Sequence, residues 1–303
     1  MNVPHSVDPK GSLAAIIGVP FDAGTSAERV GSRGGPSAIR QQSLLLDHYQ
    51  PPQTTYSPIE KLNLIDCGDV TLVPSVVETS LQQAEAAAKN ILAAGVAPIG
   101  FGGDGMVSLP LLRAAAAYFD DLAVLHIDAH TDTYRSLGNT ITDRYNTATT
   151  FTRAAEEKLI DTQSSYHIGI RGTASQADVF EHTQSHGYTV ISADELFGQG
   201  LRETGQRLKT DLSGKSVYLC FDMDFFDPSC APGVCSPTWG GATAREGFEF
   251  LRGLSGIDFV AADVNTVSPP HDVGGMTALL AANVTFEILT LLCNAPTIKS
   301  KIA

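Results

Sequence analysis

Residues 122–132 read LAVLHIDAHTD, and this segment gives the clearest indication of the fold. Its mostly apolar first half predicts a buried strand, after which polar side chains follow at alternate positions, Asp128, His130 and Asp132. A second run of this kind, 217–224, reads VYLCFDMD and ends in Asp222 and Asp224. Strands that are apolar along their whole length are typical of parallel sheets covered on both faces, where ligands bind at the carboxyl ends of the strands.

The alternation of strand-like and helix-like segments extends over the whole chain. Further strands are predicted at 13–19, 62–65, 97–101, 166–170, 188–191 and 259–264, and helices at 80–94, 108–118, 243–254 and 277–292. Such an alternation predicts an α/β fold, a three-layer α/β/α arrangement around a mostly parallel central sheet. Because no linker or repeat interrupts it, we expect one domain over residues 1–303.

Composition restricts the classes of partner and compartment. The chain has 303 residues, 43% of them hydrophobic, and a net charge of −13 without a basic run, which argues against nucleic acid as a partner. The apolar run 13–19 is short and ends in Pro20, so neither a secretory signal nor a membrane span is expected. Five scattered cysteines indicate thiols in a reducing compartment. A cytoplasmic location is therefore the expectation.

The two acidic clusters indicate a divalent cation. Asp128, His130 and Asp132 can turn towards one point just past a strand, and Asp222 and Asp224 can reach the same region. Carboxylates gathered at this density repel one another unless cations neutralise them. Carboxylate and imidazole together suit Mn²⁺ or Ni²⁺, and the ligand types alone do not separate the two. We expect at least one such ion per chain.

Seven motifs resemble those of the ureohydrolase (arginase/agmatinase) family, especially its agmatinase and guanidinobutyrase branch. They occur in family order over nearly the whole chain: 18–22 (GVPFD), 35–40 (GPSAIR), 102–104 (GGD), 128–132 (DAHTD), 151–154 (FTRA), 222–224 (DMD) and 268–270 (SPP). The resemblance implies the arginase-like fold and a binuclear manganese hydrolase, with nickel in some relatives, in which two ions activate a water that attacks a guanidinium carbon.

The resemblance also implies a role for each metal-binding position. Asp128 and Asp222 would bridge two ions, His130 and Asp224 would complete the second site, and Asp132 would bind the first. Relatives form trimers and hexamers and act on small guanidino compounds, which sets the expectation for the partners of this chain.

Three positions depart from the family pattern. The family has histidine after Gly-Gly-Asp as a ligand of the first metal, and this chain has Gly105. The family has a His-Gly pair before the FxRA motif, and Thr147 stands in place of that histidine, which serves in proton transfer or substrate contact. The family has a glutamate that holds the guanidinium before Ser-Pro, and Thr266 replaces it. No catalytic residue can therefore be assigned with certainty.

Two interpretations follow from these departures. In the first, the chain is a catalytically impaired subunit that supports an active homologous subunit, as in heteromers of the metformin hydrolase type, which act on a guanidino or biguanide compound. In the second, it is a self-sufficient, specialised agmatinase-like hydrolase with an altered first metal site. Three losses in three different roles favour the first interpretation, and the five surviving ligands keep the second open.

Single polar residues near the motifs allow further predictions. His126 is expected to pack behind the ligands, and Asp104 to accept backbone hydrogen bonds. His271 could turn inwards to replace a lost imidazole, although a solvent-facing loop position is favoured. Arg135 and Arg144 flank a loop expected to overhang the site, where they could bind an anionic group or remain solvated.

Overall fold

The central sheet is parallel throughout. The structure is a computed structural model, and it describes residues 1–25, 29–73, 75–136 and 141–302. Within these residues the sheet has eight strands in the order β2-β1-β3-β8-β7-β4-β5-β6, and every neighbouring pair is parallel. The strands are β1 (Ala14–Val19), β2 (Ile65–Asp69), β3 (Ala97–Gly102), β4 (Ala123–Ile127), β5 (Tyr166–Ile170), β6 (Thr189–Ser192), β7 (Ser216–Asp222) and β8 (Asp258–Asn265).

Helices connect the strands and often begin at a recognisable capping residue. Thr243 and Glu246 form a capping box at the start of α10, and Ser192 and Glu195 form one at α8, so each satisfies backbone groups that a helix leaves free. The helices are α1 (Gly35–Ser43), α2 (Pro58–Lys61), α3 (Val77–Ala93), α4 (Ser108–Ala116), α5 (Ile141–Arg144), α6 (Thr150–Glu156), α7 (Val179–Ser185), α8 (Ala193–Gln199), α9 (Leu201–Asp211), α10 (Ala244–Gly253), α11 (Met276–Asn294) and α12 (Pro296–Ile302).

The side chains of β7 separate the two helical layers. Leu219 and Phe221 point into the cluster that includes residues of α9, α10 and α11. Tyr218 and Cys220 point to the opposite face, into the cluster formed with α3 and α4. Because successive side chains of a strand point to opposite faces, one buried strand contributes to both cores. The predicted three-layer α/β/α class is confirmed.

The predicted strand at 62–65 was wrong in its position. The strand at this place is β2, Ile65–Asp69, and the apolar residues before it follow the short helix α2. Ser57 caps that helix and Pro58 occupies its first turn, so the chain is helical up to Lys61. The polar residues of β2 are tolerated because it is an edge strand, whose Asp66 forms an ion pair with Arg40.

The long apolar helix belongs to the core. By length and composition alone, Met276–Asn294 could cross a membrane, but 78% of its most apolar window is buried against the rest of the protein. Its contacts include α1, α10 and β8. The predicted helix at 277–292 is thereby confirmed as a core element.

Sheet order brings the two acidic motifs together. The strands β4 and β7 are direct neighbours, with Ile127 opposite Phe221, so Asp128 and Asp222 emerge side by side. The strand β8 lies on the other side of β7, with Asn265 opposite Asp222, which brings Thr266 to the same edge. Carboxyl ends of parallel strands meet at one edge, and that edge is where the candidate site lies.

Candidate metal centre

Two groups of side chains that could hold a metal ion form at this edge, and they share one aspartate. Among the described residues, ligand atoms of Asp128, His130 and Asp224 lie within 4.8 Å of one another, and so do those of His126, Asp128 and Asp132. His130 Nδ1 lies 3.2 Å from Asp128 Oδ1 and 3.1 Å from Asp224 Oδ2. The shared position of Asp128 is the geometry that a bridging carboxylate requires.

Within the described ranges of the chain, Asp222 belongs to neither of these groups. Its Oδ1 accepts hydrogen bonds from the Thr266 hydroxyl and from the backbone N–H of Asp224, at 2.5 and 2.8 Å. Beyond the effect of burial, the negative charges of Asp224 and Asp128 act on it as well, because both raise its pKa. The predicted bridging role of Asp222 stays a prediction.

Burial raises the electrostatic cost of these acids. It raises the pKa of Asp132 and Asp222 well above the ordinary value, and the neighbouring carboxylates raise both further. Burial would also raise the pKa of Asp128, but His126 and His130 outweigh it and hold that pKa well below its usual range. Burial lowers the pKa of His130, whereas Asp224 and Asp128 raise it more, so it lies well above the ordinary value. The residues therefore fit a cation, since a divalent ion would replace the protons that the site otherwise takes up.

Two residues of the site adopt a backbone conformation that side chains usually avoid. The φ angle is 50° at Asp132 and 66° at Thr266, in the left-handed region. Such a residue costs on the order of 1–3 kcal/mol and persists where the surroundings enforce it. Here the Thr266 N–H donates to the Gly103 carbonyl at 2.7 Å, and the Cys235 N–H donates to the Thr266 carbonyl at 3.2 Å.

Gly105 and Thr147, two of the substituted positions, lie against each other and against Asp132. A Cβ atom built on Gly105 would lie 3.1 Å from Asp132 Oδ2 and 3.0 Å from the Thr147 methyl carbon. Position 105 therefore faces the expected first metal site, but it carries no ligand atom. Thr147 fills part of that space, and its buried hydroxyl has no hydrogen-bond partner within the described residues.

A buried pair of histidines supports Asp128, and the sequence reasoning found only one of them. His126 Nε2 lies 2.8 Å from Asp128 Oδ2, and His126 Nδ1 lies 2.8 Å from His167 Nδ1. Phe151 packs on the His126 ring at 4.3 Å between centroids. The sequence holds no signal for His167, because only the register between β4 and β5 places it directly opposite His126.

Arg171 is a second residue that the sequence did not indicate. It follows β5, and its guanidinium donates hydrogen bonds to backbone carbonyls of Gly169, Asp224, Phe226, Thr238 and Trp239, at 2.6 to 3.4 Å. It thereby joins the loop that carries Asp224 to the segment that carries Thr238. The Thr238 hydroxyl lies 3.3 Å from His130 Nε2, so this network also reaches the imidazole.

The remaining predicted residues lie around the centre. Asp104 accepts hydrogen bonds from the backbone N–H groups of Gly24 and Met106, which confirms its structural role. Arg135 forms an ion pair with Asp178, and Arg144 lies 3.5 Å from Glu156, so both already have carboxylate partners. Residues 137–140 of the loop between these arginines lie outside the described residues. Among the described residues, His271 belongs to neither metal-binding group.

Comparison with known proteins assigns the chain to a family. The family model described as Arginase family matches residues 12–291. A human protein named guanidino acid hydrolase, mitochondrial, is 37% identical over 299 residues, covering 98% of this chain and 83% of the relative. An agmatinase of Neisseria meningitidis serogroup A is 39% identical over 278 residues, covering 91% and 86%. The proclavaminate amidino hydrolase of Streptomyces clavuligerus has a similar structure, with a TM-score of 0.92, 34% identity and coverage of 97% and 96%.

These matches extend over the same motifs that form the edge of the sheet. The family model includes both acidic motifs and all three substituted positions, because they fall between residues 12 and 291. The chain belongs to the arginase family of ureohydrolases.

Proposed function

We propose that this chain is a subunit of a metal-dependent ureohydrolase-type enzyme that cleaves a C–N bond of a guanidino or biguanide compound. Its own centre is catalytically impaired, and it supports an active homologous subunit in a trimer or hexamer of the metformin hydrolase type. The relatives named for guanidino acids and for agmatine support the substrate class. The protein acts in the cytoplasm, in keeping with its five unpaired cysteines.

The observation that carries the proposal is that a glycine stands at position 105, where a side chain would meet Thr147 and Asp132. The position that would supply an imidazole to the first ion has no side chain, and the neighbouring threonine has no useful acid–base chemistry near neutral pH. The third replacement, Thr266, adds to this loss. Its hydroxyl donates a hydrogen bond to Asp222 and has no negative charge that could pair with a guanidinium cation.

The residues that remain suit ion binding and structural support. Asp128, His130 and Asp224 would hold Mn²⁺ or Ni²⁺, which when bound supplies Lewis-acid activation of a water. Arg171 keeps the loop of Asp224 in place, and His126 orients Asp128. These residues maintain the edge of the sheet even where the groups for substrate binding and proton transfer have been replaced.

The proposal is tested by expressing the chain alone and together with an intact homologous subunit from the same genome. Each preparation is loaded with Mn²⁺ or Ni²⁺ and assayed for urea and amine release from agmatine, guanidinobutyrate, guanidinoacetate and a biguanide. We expect no turnover by the chain alone, and co-purification with increased activity for the pair. Full activity of a homo-oligomer of this chain would contradict the proposal.

The self-sufficient agmatinase-like hydrolase is the second candidate. The intact geometry of Asp128, His130 and Asp224 favours it, since a single ion held by these three can still activate a water. This candidate requires that the purified chain releases urea or an amine at a rate that rises with the amount of bound metal. If none of the four substrates is turned over with either metal, the second candidate is rejected.

A further inference from the structure

We propose that His126 is itself a metal ligand in this chain and supplies the imidazole that position 105 lacks. One divalent ion would then lie among His126, Asp128 and Asp132, beside a second ion among Asp128, His130 and Asp224. This inference goes beyond the proposed function, because it concerns how many ions the chain holds and not whether it turns over a substrate.

The two oxygens of Asp128 face two different imidazoles. Its Oδ1 lies 3.2 Å from His130 Nδ1, and its Oδ2 lies 2.8 Å from His126 Nε2. A carboxylate with one oxygen towards each imidazole can serve two ions at once. Asp128 is also the residue that the two groups of ligand atoms share, and each group contains one of the two imidazoles.

The spacing of the ligand atoms suits an ion between them. Two ligands at right angles, each about 2.1 Å from the ion, are about 3.0 Å apart. The observed 2.8 Å between His126 Nε2 and Asp128 Oδ2 is close to this value. The nearest ligand atoms of Asp132 complete a group in which all separations are within 4.8 Å.

Asp132 is a buried carboxylate that lacks a partner. It is 4% exposed, and no hydrogen bond or ion pair to its side chain occurs in the part of the chain that the structure describes. A buried, unpaired carboxylate is strongly unfavourable unless a cation or a proton compensates it. The side chain faces position 105, where the missing ligand would stand, and His126 is the imidazole that shares its group.

His167 is placed to orient His126 for this role. A metal-binding histidine usually donates its other ring N–H to a neighbouring acceptor, which fixes the tautomer. His126 Nδ1 lies 2.8 Å from His167 Nδ1, so a proton on His126 Nδ1 leaves Nε2 with a free lone pair. In the alternative arrangement the His126 proton is on Nε2 and faces Asp128. Moving protons between the ring nitrogens of the two histidines converts one arrangement into the other and leaves the net charge of the pair unchanged.

The test compares His126→Gln with the wild-type protein. Glutamine can still donate a hydrogen bond to Asp128, but its neutral amide is a poorer ligand than imidazole for Ni²⁺. The matched control is His271→Gln, which changes a histidine outside both groups. Each metal-free protein is loaded with Ni²⁺ and desalted, its folding is verified by circular dichroism, and its nickel content is measured by elemental analysis.

We expect two Ni²⁺ per chain in the wild-type protein and in His271→Gln, and one in folded His126→Gln. Two ions in His126→Gln, or a single ion in the wild-type protein, would overturn the inference. Because nickel content is read without any substrate, these outcomes are independent of whether the proposed function holds.

A second variant tests the inference even if His126→Gln fails to fold. In His130→Gln loaded with Mn²⁺, His126 is the only imidazole left in the two groups. Electron spin-echo envelope modulation should then detect a directly coordinated imidazole nitrogen. Bound Mn²⁺ without this nitrogen signal would show that His126 only supports Asp128 and would overturn the inference, as would failure to bind Mn²⁺.

Discussion

The methyl carbon of Thr147 lies 3.0 Å from the point where residue 105 would carry a Cβ atom. Real side chains hardly tolerate so close a contact, so the glycine and the threonine are physically coupled. A side chain at 105 requires that the threonine methyl is removed or displaced. The two departures from the family pattern are therefore not independent, although they are 42 positions apart.

The first prediction concerns this coupling. Gly105→Ala should destabilise the protein by about 1–3 kcal/mol, because the new methyl overpacks against Thr147. In a Thr147→Ser background, which removes the threonine methyl and keeps the hydroxyl, the part of this cost that comes from the methyl should disappear, while the 3.1 Å approach to Asp132 Oδ2 remains. The free energies of unfolding from urea denaturation of the two single variants and the double variant give the coupling energy, expected at about 1 kcal/mol or more.

Thr147→Val is the control for this cycle, because it keeps a methyl group at the contact and should preserve the cost of Gly105→Ala. If Gly105→Ala costs as much stability in the Thr147→Ser background as in the wild-type protein, the threonine methyl is not what keeps position 105 small. The same coupling predicts that Gly105→His restores a first-site ligand only when it is combined with Thr147→Ser.

The second prediction concerns Thr266. Thr266→Val should cost about 1–2 kcal/mol of stability, because Asp222 loses the hydroxyl that donates to its Oδ1. Thr266→Ser keeps the donor and should remain within about 0.5 kcal/mol of the wild-type protein. Thermal denaturation of the metal-free proteins measures both. A loss of stability in Thr266→Ser without a loss in Thr266→Val would mean that the methyl group, not the hydroxyl, is the stabilising part.

The third prediction concerns Arg171. Arg171→Lys should destabilise the protein by roughly 3 kcal/mol, because one ammonium group cannot reach the carbonyls that the guanidinium binds on three segments. The variant should also bind Mn²⁺ more weakly, since the loop of Asp224 loses its anchor. Urea denaturation and calorimetric titration with Mn²⁺ test the two effects. A lysine variant with unchanged stability and affinity would refute this positioning role.

The fourth prediction concerns pH. The pKa of Asp132, Asp222 and His130 is raised in the folded, metal-free protein. A group whose pKa is raised on folding stabilises the fold below its unfolded pKa, and this contribution is lost as pH rises through the folded value. The metal-free protein should therefore become less stable from pH 6.5 to pH 8, whereas below this range the lowered pKa of His167 contributes a slope of the opposite sign. The pKa of Asp128 is lowered instead, so it is ionised in both states over this range and adds no slope.

Metal uptake should change in the opposite direction. Because bound ions replace protons on the raised groups, affinity for Mn²⁺ should increase and protons should be released as pH rises from 6 to 8. The stabilisation by metal, measured as the difference in melting temperature, should grow over the same range. A pH-independent difference would mean that the ions do not replace these protons.

The edge of the sheet was predictable because it depends on local patterns. The apolar runs before Asp128 and before Asp222 predict buried parallel strands, and parallel strands end at a common edge. The strand β2 was misplaced because its residues are polar, and their pairing with Arg40 depends on contacts that are distant in sequence. The helices α7 and α9 were not predicted, since α7 has only seven residues and α9 buries a single large apolar side chain, Leu208.

The grouping of the acidic side chains was predictable, and their surroundings were less so. The motifs predict that Asp128, His130 and Asp224 lie together, and the structure has these three residues in one group. The partnership of His126 with His167 could not be read from the sequence, because it depends on the register between β4 and β5. The same limit applies to Arg171, whose contacts are backbone carbonyls and leave no trace in side-chain identity.

The buried carboxylates around His130 would be stable together because divalent ions lie among them. Elemental analysis of the purified protein, with native mass spectrometry to count chains, measures these ions. We expect bound manganese or nickel, at least one ion per chain and two when His126 is intact. A folded protein that stays metal-free after incubation with Mn²⁺ and with Ni²⁺ would contradict it.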